Sequence, residues 1–368
     1  TALRDVIGRC LYGVDINPMA AELCRFNLWV EALEPGKPLS FLDHHIRVGN
    51  SLLGTTPELI TAGLPDEAFS AIEGDDREIC KAWKRRNKEE RDQKLRRLFD
   101  APGSEVSSLI AGLARDVKTL DQLPDAKLAD IETKRRKYET LLASPEYGRQ
   151  KLLADAWCVA FVLKKSKQFS YGITTGVLRD LTARPDSIQP WMREEIVHLA
   201  EQYQFFHWKF AFPEVFAKGG FDCVLGNPPW ERVKIQEKEW FAERSLEIAT
   251  APNAATRKRI INDLKDNDPA LYQSFLDVLR KAEGESHFLR NSGRYPLCGR
   301  GDINLYAVFA EVMRHLLSGA GRIGCVLPSG IATDDTTKFF FQNIVENRAL
   351  VSLFEFENEG FFPDAGQG

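Results

Sequence analysis

The sequence lacks the paired cysteines from which disulfide frameworks and zinc ribbons are built. Its cysteines occur singly along the 368 residues, at Cys10, Cys24, Cys80, Cys158, Cys223, Cys298 and Cys325. This distribution favours reduced thiols in a cytoplasm over an oxidised, secreted scaffold. The six histidines show no metal-ligand spacing either, so the sequence predicts no metal site.

Long apolar runs and an excess of one charge are also missing. No run is long enough to span a bilayer and no signal peptide opens the chain, so we expect no membrane partner. The formal net charge is −4, so no global basic field attracts nucleic acid. Any contact with DNA must therefore come from local patches or from chain outside this sequence.

What the sequence does contain is a short apolar run that stops at a stiff polar loop. Phe221 to Leu225 predicts a buried strand, and Gly226 ends it. The next four residues are Asn227, Pro228, Pro229 and Trp230. Two prolines cannot continue a central strand, so the chain must leave the sheet at the strand's carboxyl end. Open α/β sheets bind their ligands at that edge.

The chemistry of this loop suits a flat base with an exocyclic amino group. The side-chain oxygen of Asn227 and the carbonyl of Pro228 are two acceptors for the amino protons, and Trp230 offers a ring for stacking. Two acceptors would draw the amino lone pair out of conjugation and direct it towards a methyl donor. The alternative is a simple turn followed by a surface aromatic residue.

A second strand end lies near the start of the chain. Leu11 to Val14 predicts a short strand closed by Asp15, and Asn17 and Pro18 predict the start of a helix. An acidic residue that closes a strand of a nucleotide-binding sheet commonly accepts the ribose hydroxyls. The alternative is that Asp15 only caps the helix.

A third strand end is predicted shortly afterwards. Ile46 to Val48 suits a strand, Gly49 a turn, and Asn50 then faces the same edge as Asp15. Asn50 could accept a hydrogen bond from a ligand through its side-chain oxygen. The alternative is an Asx turn, in which that oxygen serves the local backbone.

With these motifs in place, the chain resembles the amino-group DNA methyltransferases. It looks most like the large adenine-N6 enzymes of restriction-modification and phage-defence systems, in the Eco57I-like group. The resemblance covers both ends of the chain but not its middle, and it implies S-adenosyl-L-methionine as cofactor. It assigns cofactor contacts to Asp15 at the ribose, Ile16 and Asn50 at the adenine, and Asn227 from the catalytic loop.

The resemblance also implies a substrate, double-stranded DNA with a flipped adenine. Trp230 would stack on that base, and Phe361 or Phe362 would pack against it from the other side. For Phe361 and Phe362 the alternative is ordinary core aromatic residues.

The family's first cofactor motif, a glycine-rich strand–turn–helix, does not precede Asp15. The target-recognition region expected after Phe362 is also missing from the sequence. We therefore expect a fragment of a longer polypeptide, whose remainder supplies both regions. The fragment alone is expected to bind cofactor weakly and to be inactive.

The fold class predicted is α/β, a Rossmann-like class I S-adenosylmethionine-dependent methyltransferase sheet with a large helical insertion. Residues 1–56 would form the first part of the core, 57–190 the insertion, and 191–368 the second part with the catalytic loop. The sheet prediction includes a further strand over Leu350 to Phe356.

Two other readings remain open from the sequence. One is an adenine-N6 methyltransferase of RNA or a glutamine methyltransferase of protein, since both use Asn-Pro-Pro loops. The other is a degenerate, non-catalytic module of the same fold that binds nucleic acid or partner subunits.

Overall fold

The computed structural model describes residues 2–97, 104–184 and 186–356, and it separates into two compact units. The first unit comprises Thr1–Gly220 and Glu283–Ser292. The second comprises Phe221–Ala282 and Gly293–Gly368. Each unit contains one pair of parallel strands.

The first unit opens with alternating helices and strands. In chain order these are α1 (Ala2–Cys10), β1 (Gly13–Asp15), α2 (Pro18–Glu31) and β2 (Ile46–Val48). The two strands are parallel, with Asp15 opposite Val48. Helix α2 begins as the sequence predicts, because the Asn17 side chain accepts a hydrogen bond from the Met19 amide at 2.9 Å.

Helices then follow without a strand, within the described residues, up to the end of the first unit's main segment. They are α3 (Pro57–Ala62), a 3-10 turn (Asp66–Phe69), α4 (Arg77–Arg97), α5 (Ser104–Asp121), α6 (Leu128–Leu142), α7 (Pro145–Val162), α8 (Thr175–Ala183), α9 (Pro190–Tyr203), α10 (Trp208–Ala211) and α11 (Pro213–Phe216). Helix α7 is buried from Leu152 onwards, as expected for a helix that is apolar on all sides. Its Trp157 and Phe161 rings pack against each other and against Phe288.

The second unit is built around another parallel pair. Its elements are β3 (Phe221–Gly226), α12 (Glu237–Ala242), α13 (Leu246–Ala249), α14 (Ala254–Asn267), the part of α15 (Pro269–Asn291) up to Ala282, α16 (Leu305–Leu316), β4 (Leu317–Cys325), α17 (Gly330–Thr333) and α18 (Lys338–Glu346). Helices α12 to α15 share a small core of Phe241, Ile248, Ile261, Leu264 and Phe275. In the parallel pair, Gly226 lies opposite Cys325.

Two details of the predicted sheet differ from the structure. The strand at Phe221 forms, but it is not buried, and the Leu225 side chain is 77% exposed. A parallel strand is buried when helices cover both faces of its sheet, and the helices of the second unit leave Leu225 uncovered. The strand predicted over Leu350 to Phe356 is wrong, since this segment is irregular and exposed. No neighbouring backbone in the described part of the chain is paired with it.

The single sheet expected from both ends of the chain stays a prediction, because the described residues form one strand pair in each unit. All seven cysteines are free thiols. Across residues 2–97, 104–184 and 186–356, none of the helices combines the length and apolar character needed to cross a bilayer.

Candidate active site at two strand ends

Asp15 is exposed at the carboxyl end of β1. One oxygen of its carboxylate accepts a hydrogen bond from the Asn17 amide at 2.7 Å, so Asp15 does support the turn into α2. A carboxylate has two oxygens, and the second can accept bonds from a ligand. Ile16 follows with 49% of its side chain exposed, beside the carboxylate. The local role and a ligand role are therefore compatible.

Asn50 lies at the same edge. Asp15 is paired with Val48 on the adjacent parallel strand, and Asn50 comes two residues later. The Asn50 side-chain oxygen accepts a hydrogen bond from the Leu52 amide at 3.1 Å, which is the Asx turn considered as the alternative. An amide oxygen has a second lone pair, and the amide nitrogen has two donors. Asn50 can therefore still meet a ligand, but with one acceptor position already used.

The loop that carries Asn50 is held by the segment after α9. Three hydrogen bonds do this: Asn50 N to Gln204 O at 2.7 Å, Phe206 N to Leu53 O at 2.7 Å, and Trp208 Nε1 to Ser51 O at 2.9 Å. The close approach requires glycine at position 49, because a Cβ there would lie 2.8 Å from the buried Phe206 ring. From the sequence, Gly49 is predicted only as a turn residue.

A buried histidine completes this support and was missed from the sequence. The Thr55 amide donates to Nδ1 of His207 at 3.0 Å, which leaves the ring proton on Nε2. Nε2 then donates to Asp155 at 2.9 Å, and Lys151 binds the other carboxylate oxygen at 2.6 Å. Along the chain, His207 lies 52 positions from Asp155 and 152 positions from Thr55. No local sequence pattern could therefore have predicted these contacts.

The predicted catalytic loop follows β3 directly. Asn227 and Pro229 are exposed, Pro228 is buried, and 48% of Trp230 is exposed. Among the described residues, neither the Asn227 amide group nor the Pro228 carbonyl is engaged in a hydrogen bond. Both acceptors that the sequence analysis assigned to a target amino group are therefore available.

The backbone on both sides of the loop is fixed. Before it, the Gly226 carbonyl accepts a hydrogen bond from Val326 at 3.1 Å. After it, Arg232 forms an antiparallel bridge with Asn304, and its guanidinium binds Asp302 at 2.7 Å. Two backbone bonds flank this bridge, Leu305 N to Glu231 O at 2.8 Å and Val233 N to Ile303 O at 3.0 Å. The loop is thus clamped at its ends while its side chains stay accessible.

The structure brings Asp15, Ile16 and Asn50 together in the first unit, and Asn227 to Trp230 in the second. Each group is described within its own unit. Phe361 and Phe362, the aromatic residues expected beside the target base, lie outside the described residues.

Comparison with known proteins places the chain in a family. Residues 9–281, more than half of the chain, match the family described as Eco57I restriction-modification methylase. The chain therefore belongs to the Eco57I restriction-modification methylase family. The matched range includes both strand ends and the whole loop from Asn227 to Trp230.

One curated relative comes from the archaeon Methanocaldococcus jannaschii, and its name describes a candidate type II restriction enzyme and methyltransferase. It is 24% identical over an alignment of 258 positions, and the match covers 60% of this chain. The match spans only 18% of the relative's own length. No solved structure gave a significant match to the chain.

Proposed function

We propose that this chain carries the catalytic part of an S-adenosylmethionine-dependent methyltransferase that modifies the N6 amino group of adenine in DNA. Family membership supports a restriction-modification methylase, and the finer assignment rests on the catalytic loop. The observation that carries it is the loop from Asn227 to Trp230, which presents two unengaged acceptors and an exposed ring on a clamped backbone.

The catalytic role of the loop is electrostatic positioning. The two amino protons of the target base bond to the Asn227 side-chain oxygen and the Pro228 carbonyl, so the nitrogen lone pair leaves conjugation with the ring. S-adenosyl-L-methionine would supply an electrophilic methyl group, its sulfur leaving as a neutral thioether when the S–CH3 bond breaks. The methylated amino nitrogen would then lose one proton to solvent. Because the backbone of the loop is fixed beforehand, the acceptors cost little reorganisation during the reaction. No covalent intermediate with the protein is needed.

The residues at the first strand end fit the cofactor's nucleoside. Asp15 offers a carboxylate with one oxygen beyond its local bond, suited to ribose hydroxyls. Ile16 offers exposed apolar surface for the adenine ring, and Asn50 offers its amide group at the same edge. These residues bind and orient the nucleoside, and the catalytic loop acts on the target base.

The substrate proposed is duplex DNA with its target adenine flipped out, since an adenine inside the duplex cannot be reached in place. Trp230 stacks on the flipped base, and Phe361 or Phe362 packs on its other side. The wider setting proposed is a restriction-modification or phage-defence protein, and the restriction-modification part agrees with the name of the Methanocaldococcus jannaschii relative.

The test is methyl transfer by the full-length protein from labelled S-adenosylmethionine to three substrates. These are duplex DNA of mixed sequence, an RNA transcript of the same sequence, and a protein extract. We expect label in DNA alone, recovered as N6-methyladenine by nucleoside mass spectrometry. Label in RNA or in glutamine, or methylation of cytosine, would contradict the proposal. So would binding of nucleic acid with no methyl transfer.

A further inference from the structure

Two adjacent histidines and an aspartate lie together inside the first unit, away from both strand ends. His44 and His45 immediately precede β2, and Asp121 is the last residue of α5. Nε2 of His44 lies 2.9 Å from Asp121 Oδ1, and Nε2 of His45 lies 3.6 Å from the same oxygen. One ligand atom from each residue can be chosen so that all three lie within 4.8 Å of one another.

Hydrogen bonding within the protein leaves this cluster largely unsatisfied. Both histidines are buried, with His45 fully inaccessible. Of their four ring nitrogens, only Nε2 of His44 has a hydrogen-bond partner among the described residues. The 3.6 Å separation at His45 is too long for a good hydrogen bond. Buried polar atoms without partners are rare in folded proteins and often mark an ion or a water.

We propose that His44, His45 and Asp121 bind a divalent transition-metal ion, with zinc as the best match. Imidazole nitrogens and a carboxylate oxygen are a common zinc donor set. With metal–ligand bonds near 2.0–2.2 Å, tetrahedral ligand atoms lie roughly 3.3 Å apart. The two observed separations, 2.9 and 3.6 Å, lie on either side of that value.

The surroundings hold the ligands in place and allow access. The Tyr12 ring lies 4.1 Å from the His45 ring, and the two histidine rings lie 4.0 Å apart. The Asp121 side chain is one quarter exposed, so solvent reaches the cluster, and a water molecule would be the fourth ligand of the proposed ion.

Such an ion would fasten two distant parts of the first unit. Asp121 lies 77 residues from His44, at the end of a helix in the region between β2 and α9. The ion would therefore tie that helical region to the β1–β2 pair. The spacing of histidines and cysteines along the chain predicts no metal site, because these three residues are brought together only by folding.

The experiment measures zinc content and thermal stability in the full-length protein and its variants. Metal is removed with a chelator, zinc is added back, and bound zinc is counted by mass spectrometry after buffer exchange. His45→Gln and Asp121→Asn are compared with His198→Gln, which changes an exposed histidine of α9. We expect His45→Gln to lower zinc affinity more than about 100-fold, because losing only an outer-shell partner already costs about 10–100-fold. His198→Gln should bind as the wild type does.

Zinc should also raise the melting temperature of the wild type and of His198→Gln, and not that of His45→Gln. The idea fails if the wild type takes up no zinc, or if His45→Gln and Asp121→Asn keep the wild-type zinc count. If a variant does not fold, cobalt substitution of the wild type decides. Visible bands of tetrahedral cobalt without thiolate charge transfer support the His44–His45–Asp121 set. Thiolate bands, or no tetrahedral cobalt, overturn it.

Discussion

The two strand ends hold their polar side chains in different ways. In the first unit, the side-chain oxygens of Asp15 and Asn50 each accept an amide hydrogen bond from two residues further along the chain. In the second unit, the Asn227 amide group has no such bond to a described residue, and the neighbouring backbone does the holding. In the first arrangement a local hydrogen bond already uses one acceptor position of each side chain. In the second arrangement no such bond uses the Asn227 side chain, which suits the catalytic role proposed for it.

The glycines at the two strand ends also differ, in how tightly their surroundings are packed. A Cβ at Gly49 would lie 2.8 Å from a ring carbon of Phe206, which is buried and ring-packed on Trp208 and Phe212. A Cβ at Gly226 would meet the terminal methyl of Met313 at 2.4 Å. A methionine end can swing away, whereas a packed phenylalanine ring cannot. The first strand end is therefore the more tightly packed of the two.

The largest expected effect is that of Asn227→Ala. Removing one preorganised polar group at the reacting centre typically lowers the rate by roughly 10²–10³. Cofactor affinity should stay within a few fold, because the side chain is proposed to act on the target amine. Single-turnover kinetics on a duplex with one target adenine measures this. The control is Asn267→Ala, at an exposed asparagine of α14. Equal rates for the two variants would rule out the proposed catalytic role.

Trp230→Ala should weaken binding of the flipped base. Stacking of a base on an aromatic side chain contributes about 1–3 kcal/mol. Trp230→Phe should keep much of this contribution, since a flat ring remains. The measurement is the affinity for a duplex whose target adenine is mismatched and therefore easily flipped. An alanine variant that binds as tightly as the phenylalanine variant would mean that Trp230 does not stack on the base.

Asp15→Ala tests whether a side chain used by the local turn also binds cofactor. Loss of a charged acceptor should weaken S-adenosylmethionine binding by about 1–3 kcal/mol. The comparison is Asn17→Ala, which removes the cap of α2 and costs about 1 kcal/mol of stability without touching the cofactor. Calorimetry on both variants separates the roles. If both leave cofactor affinity unchanged, Asp15 acts only in the turn.

The smallest expected effects are the losses of stability caused by alanine at Gly49 and at Gly226. Gly49→Ala should destabilise the protein by about 1–3 kcal/mol, the usual cost of overpacking a core. Gly226→Ala should cost less, because the Met313 end can change rotamer. Urea unfolding of the two variants under the same conditions measures the difference. Equal losses would mean that the Phe206 ring adapts as readily as Met313 does.

Much of the local structure was predictable from the sequence. The polar–proline pair at Asn17 and Pro18 predicted where α2 begins, and the side-chain bond to Met19 confirms it. The apolar run at Phe221 predicted β3. The strand predicted from the apolar run at Leu350 to Phe356 does not form, because an apolar run makes a strand only where another strand offers hydrogen bonds. The predicted burial of β3 is also wrong, since burial depends on which elements cover a strand.

The sequence by itself determined the stiffness of the loop at Pro228 and Pro229, because proline fixes its own backbone wherever it stands. It also placed Asp15 and Asn50 at strand ends, because local periodicity marks where strands stop. Only the tertiary structure decided that His207 would bridge Thr55 and Asp155, and that His44 would meet Asp121. These contacts join residues far apart in the chain, and they form because burial makes each unpaired polar atom costly until a distant partner satisfies it.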